Sequence, residues 1–244
     1  MSGALSGGPG VPLAVFTLLS MQTPTLGHYI LPNLRSIHWR IPSWKFTPFL
    51  RLFLNPELVD VHIEFPDNIP HLHRPAIVSL IPTRDLTHLR LKSVEKEDFS
   101  LDALHNLLDE ASETLRSISL GGELSIAVIE KLVQPPNLRC LEVQLPGTQI
   151  SPPPHTLVLS SLEKLVVVYR EAGPWIHVLK NVADLALREL DTTFLGSFPS
   201  HLQTVGNSLL DANIEQTLIS LKCFSGDGSP SQKQESARSS PSGG

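Results

Sequence analysis

The chain has 244 residues, 41 of them leucine, with two cysteines and a formal net charge of −5. A mildly acidic chain without clustered lysine or arginine lacks the basic face that nucleic-acid binding calls for, and two cysteines are too few for a disulfide framework. No apolar run reaches the roughly 18 residues of a membrane span, and the apolar stretch 11–21 has no basic residue ahead of it, which argues against a signal peptide.

In chain order, residues 1–25 are expected to be a flexible, Gly-rich leader, with a short apolar helix over 12–20 belonging to an incomplete first repeat. A phrase of apolar, two variable, apolar, one variable, apolar then recurs. It runs Leu34-Ile37-Trp39, Leu58-Val61-Ile63, Leu86-Leu89-Leu91, Leu115-Ile118-Leu120, Leu138-Leu141-Val143, Leu162-Leu165-Val167 and Val182-Leu185-Leu187. Each phrase predicts a short strand, because its last two apolar members alternate with an exposed position. The segment after each strand looks helical or irregular. Residues 46–55 are apolar with Pro48 near the start, and 75–81 close on Pro82. Residues 100–113 form the strongest helix, with Ser100 as cap, Asp102 in the first turn and Leu101, Leu104, Leu108 and Ala111 along one face. Residues 125–134 place Ile126, Ile129 and Val133 together, and 175–180 come after Gly173-Pro174. Leu202-Val205 and Leu218-Leu221-Cys223 are degenerate candidates, the latter a possible cap. Residues 225–244 hold no apolar period and are expected to be disordered.

Intervals of 20 to 29 residues between phrases mark a leucine-rich-repeat solenoid over 26–224, an α/β fold with a curved parallel sheet and helices or loops on its convex side. One unit cannot hide its own apolar face, so neighbours must cover it. A buried leucine contributes roughly 1.5–3 kcal/mol, and three per phrase dominate the fold. The usual Asn or Cys three positions after the phrase is missing: Pro42, Pro66, Val94, Glu123, Pro146, Arg170 and Leu190 stand there. No asparagine ladder is therefore expected, and the solenoid should be irregular.

The segments LPNLRSIHW, DLTHLRLKS, ETLRSISLGG, PPNLRCLEV and SSLEKLVVV resemble the repeat region of the large fungal F-box proteins, over about residues 26–224. That resemblance implies the substrate-recognition half of a ubiquitin-ligase receptor. Members place near the N-terminus an F-box that docks on a Skp1-type adaptor. The stretch before Leu31 is too short and Gly-rich for those three helices, so such an adaptor is expected as partner only if an F-box exists outside this chain. The other class of function in view is a regulatory or structural scaffold unrelated to ubiquitination.

Chemistry-bearing motifs are sparse. His71 and His73 have chelating spacing in an extended segment, but a polar surface loop accounts for them as well. No phosphate-binding loop, dinucleotide fingerprint or nucleophile elbow is present; Gly121-Gly122 looks like a turn after a strand, and Asp109-Glu110 like a solvated helix end. Cys140 and Cys223 are expected to be reduced thiols in a soluble protein of the cytoplasm or nucleus. Ser229-Pro230 and Ser240-Pro241 are candidate phosphorylation sites in the tail. The expectation is no catalytic residue, no metal and no cofactor.

Strand alternation points three columns of residues outward on the concave side. The middle column is His38, His62, Arg90, Ser119, Glu142, Val166 and Ala186. The following column is Arg40, Glu64, Lys92, Gly121, Gln144, Val168 and Arg188, and the preceding one Ser36, Asp60, His88, Ser117, Cys140, Lys164 and Asp184. His38, Arg40, His62, His88, Arg90 and Lys92 would gather at one end beside Glu64, with Glu142 midway and Val166 and Val168 as an apolar pair further on. A protein ligand carrying an acidic segment would match such a surface; chance grouping of polar strand residues is the plain alternative.

Overall fold

A computed structural model describes residues 3–5, 13–22, 29–66, 69–70, 73–93, 101–124, 126–132, 134–145, 157–158, 161–171, 182–183, 187–195 and 218–225. Its strands are β1 (Gly3–Leu5), β2 (Ser36–Arg40), β3 (Asp60–Glu64), β4 (His88–Lys92), β5 (Ser117–Glu123), β6 (Cys140–Gln144), β7 (Leu157–Val158), β8 (Lys164–Tyr169), β9 (Val182–Ala183), β10 (Glu189–Phe194) and β11 (Ser220–Ser225). Nine form one sheet in the order β1-β2-β3-β4-β5-β6-β8-β10-β11, and β7 and β9 pair separately. Every pairing is parallel. The helices α1 (Leu13–Gln22), α2 (His73–Val78), α3 (Leu101–Ala111) and α4 (Ile126–Leu132), with a 3-10 helix at Trp44–Leu52, connect the early strands. This is an α/β solenoid-like arrangement. No helix among the described residues is long and apolar enough to cross a membrane.

The apolar phrase sets the register. Ile37, Val61, Leu89, Ile118, Leu141, Leu165 and Leu190 stand side by side across the sheet, and so do Trp39, Ile63, Leu91, Leu120, Val143 and Val167. All are buried. A backbone device repeats with them: the carbonyl after the first apolar residue of one phrase accepts two N–H groups from the next. Arg35 O accepts from Val59 and Asp60, Val59 O from Thr87 and His88, and the series continues through Thr87, Arg116, Arg139, Glu163 and Arg188. A fourth inward position, two residues past the phrase, adds Ile41, Phe65, Leu145, Tyr169 and Phe194 to the core.

The seventh phrase is corrected by this register. Leu165 pairs with Leu190 and Val167 with Thr192, so the phrase is Leu187-Leu190-Thr192, 25 residues after Leu162. Val182 instead belongs to the small β7–β9 pair. Thr192 hides the true phrase: it is polar yet buried, its hydroxyl 3.3 Å from Cys223 Sγ and 3.5 Å from Lys222 O. Glu189, Asp191 and Thr193 therefore replace Asp184, Ala186 and Arg188 on the outer face. Leu218-Leu221-Cys223 does form a further unit, with Leu221 beside Leu190.

Other expectations differ in detail. Gly3–Leu5 pairs with Ile37 to Trp39 as an edge strand, although Gly-Ala-Leu carries no phrase; backbone pairing at an open sheet edge needs none. The helix expected over 12–20 is α1, whose Phe16 sits 5.6 Å from Phe46 and Phe49 and 5.9 Å from Trp39, closing that end of the core. The segment with Pro48 adopts the tighter 3-10 form. Gly121-Gly122 is no terminal turn: both lie within β5, where pairing to β6 slips between Leu120 and Glu123. In α4 Val128, Ile129 and Leu132 are buried, while the side chain of Ile126 and residue Val133 lie outside the described residues. Helix 175–180, the pair Leu202-Val205, His71 and residues 226–244 lie outside the described residues.

The missing asparagine ladder has a partial substitute at the strand starts. Asn55 Nδ2 donates to the carbonyls of Leu31 (2.9 Å) and Leu34 (3.0 Å), and its Oδ1 accepts from Glu57 N. Thr87 donates to Val59 O, Asn137 to Glu113 O and Ser161 to Leu138 O. Apart from the local bond from Glu57 N, each ties one repeat to the one before it and satisfies a carbonyl at a junction between repeats.

Candidate binding face

With one face of the sheet against the core, the alternate residues stand on the other. Register places His38, His62, Arg90, Ser119, Glu142, Val166 and Asp191 in one row, and Ser36, Asp60, His88, Ser117, Cys140, Lys164 and Glu189 in a second. In the third row Arg40, Glu64 and Lys92 are adjacent, as are Gln144, Val168 and Thr193. His38, Arg40, His88, Arg90 and Lys92 are exposed, while His62, Glu64, Glu142, Val166 and Val168 are half-buried. Val166 lies between Glu142 and Asp191, and Val168 between Gln144 and Thr193. They are thus apolar floor between polar neighbours, whereas strand alternation alone predicts a freely exposed pair.

The basic end is more balanced than its sequence suggests. The rings of His38 and His62 stack at 3.9 Å with 3° between their planes. Both Nε2 atoms approach one oxygen of Glu64, Oε1, at 3.5 and 3.4 Å, while Arg40 Nε stands 3.8 Å from the other, Oε2. Burial, then the charges of His38 and Arg90, depress the His62 pKa to about 4 against the pull of Glu64, so its imidazole is neutral at pH 7. Its Nε2 is buried without a hydrogen-bond partner. Arg90 reaches Glu142 at 3.6 Å, and Ser119 donates to the same carboxylate oxygen at 2.6 Å. Ser36 donates to Asp60 at 3.1 Å.

Depressions open onto this face, two of them beside the basic end. One of about 820 Å³ is lined by Arg40, Glu64, Lys92, Ser119, Gly121, Glu142, Gln144 and Val168 among others. Gly121 lines it and lies close against the neighbouring backbone, since a Cβ there would stand 3.2 Å from Lys92 Cα and 3.3 Å from Ser93 N. The second, of about 420 Å³, is lined by His38, Asp60, His62, His88 and Arg90 with their neighbours. The outer-face residues expected from the sequence in these strands are thus placed on one surface.

The far end carries charges that leucine spacing does not reveal. Lys164 Nζ is 2.8 Å from Glu189 and 3.8 Å from Asp191, and Lys222 is 3.8 Å from Asp191. The hydrogen bond to Glu189 raises the Lys164 pKa and lowers that of Glu189. The signal is the β10 register, which Thr192 obscures. Burial pushes the Cys140 thiol up, which disfavours a reactive thiolate. His73 opens α2, its ring 5.6 Å from Trp44 and its Nδ1 3.4 Å from Thr47 Oγ1. No family model, curated protein or solved structure matches the chain.

Proposed function

We propose that this chain is a non-catalytic protein-interaction module of the leucine-rich-repeat class, similar to the substrate-recognition region of an F-box ubiquitin-ligase receptor. The observation that carries the reading is the aligned outer face: side chains of successive strands stand in register around an 820 Å³ depression with Arg40 and Lys92 at its rim. A strand-built surface holds its groups at fixed spacing, so an extended ligand meets preorganised partners. Exposed Arg40, Arg90 and Lys92 favour an acidic segment in that ligand, while Glu64 and Glu142 set where its charges must fall. Leucine-rich phrases and irregular periods support the class, and the resemblance in segments such as LPNLRSIHW supports the ubiquitin-ligase connection.

Affinity capture on the purified chain, with quantitative identification of bound proteins, tests the reading against the Arg90→Glu variant. Arg90 is 47% exposed, so folding should be kept, and capture of the specific partner should fall about tenfold or more. Equal capture by both forms would remove the open face from the interaction. Direct binding of a Skp1-type adaptor to the chain would favour a ubiquitin-ligase component over a scaffold of another kind.

A further inference from the structure

We infer that His38, His62 and Glu64 form a binding site for one borderline divalent transition ion, of the zinc, cobalt or nickel kind. Each residue offers one ligand atom, and these atoms all lie within 4.8 Å of one another. Two imidazoles and a carboxylate are the donor set such ions prefer. Calcium or magnesium would call for more oxygens than these three residues supply.

Distances favour the ion over a plain hydrogen-bonded cluster. Donor atoms about 2.0–2.1 Å from a tetrahedral ion stand about 3.3 Å apart, and Glu64 Oε1 is 3.4 and 3.5 Å from the two Nε2 atoms. An N–H donor to a carboxylate would close to about 2.7–3.2 Å instead. His62 Nε2, buried and without a hydrogen-bond partner, gains one in the ion. Arg40 faces Oε2, which leaves Oε1 turned to the imidazoles, the orienting role an outer partner plays for a ligating carboxylate. The rings lie parallel, so their lone pairs converge on one ion only when His38, which is exposed, turns its ring out of the stack. Cross-strand pairing of His38 with His62, and the two-residue step to Glu64, hold the set on rigid backbone. Three protein ligands leave a fourth position toward solvent. Arg90 and Lys92 on the neighbouring strand oppose a cation and limit affinity.

The untagged full chain is titrated with Co(II), followed by its visible absorption, and with Zn(II) by calorimetry. One equivalent should bind. His38→Ala and Glu64→Gln should each weaken binding about tenfold or more, while His88→Ala, an exposed neighbour outside the set, should bind as the parent does. His38 is exposed and Glu64 is half-buried, so these two variants carry the test even if His62→Ala unfolds; circular dichroism checks each fold. Absence of saturable Co(II) binding would overturn the site. So would undiminished binding when His38 and His62 are both alanine, or equal loss in His88→Ala.

Discussion

Two residues show how much a single side chain carries in this chain. His62 titrates at about 4 in the folded state against 6.5 for the free group, chiefly because it is buried and then because His38, Arg90 and Lys92 surround it, with only Glu64 pulling the other way. Between those values the unfolded chain takes up a proton that the folded chain does not, so stability falls as pH drops from about 6.5 to about 4 and levels off below. The expected loss is about 1–2 kcal/mol, less than the whole shift implies because the ring edge touches water. Urea unfolding across that range in chelator-containing buffer measures it, and His62→Asn should flatten the profile. Asn55 is 1% exposed and satisfies two carbonyls and one N–H. Asn55→Ala strands them, and about 2–3 kcal/mol should be lost in the same assay. Neither role is legible in the sequence: the usual asparagine position lies after the phrase, whereas Asn55 stands before it.

At the scale of the element, the phrase and the strand coincide because period-two burial is a property of extended backbone. β5 shows where that coincidence ends. Gly122 has φ 119°, a conformation that a side chain strains, and Gly121 lies against the backbone of β4. Together they permit the register slip to β6 and carry Leu124 back into the core. Gly122→Ala should cost about 1–3 kcal/mol, read by thermal or urea unfolding; an unchanged midpoint would mean that the strand tolerates another path. Leu141→Asp in β6 places a charge where the side chain is 2% exposed, and circular dichroism should show lost structure, whereas Arg90→Glu on the outer face of β4 should leave the spectrum intact. Equal disruption by both would invalidate the inward and outward assignment.

Across the whole molecule, stability depends on having a neighbour on each side. Leu141 and Leu221 hold the same position in their phrases, connected in register through Leu165 and Leu190. Leu141 has strands on both sides and is 2% exposed, while Leu221 lies in the last described strand and is 49% exposed. Leu141→Ala should therefore lose about 2–5 kcal/mol and Leu221→Ala about 1 kcal/mol or less. Matching losses would show that β11 is covered by a further element in solution. The α1 end is closed differently, by Phe16 packed among Trp39, Phe46, Phe49 and Phe53.

Leucine spacing by itself determined the strands β2 to β6 and β8, their parallel order and the side each residue faces, because period-two burial assigns the faces and intervals of more than 20 residues leave room for a crossover between strands. It determined, too, that His38, Arg40, His62, Glu64, Arg90 and Lys92 share one surface. Only the tertiary structure decided the β10 register, since a buried threonine whose hydroxyl lies close to Cys223 and Lys222 is indistinguishable in the sequence from an exposed one. It alone decided that Glu64 Oε1 meets two imidazoles from adjacent strands, a contact set by side-chain rotation and by pairing between residues as much as 26 positions apart, about which spacing along a chain is silent.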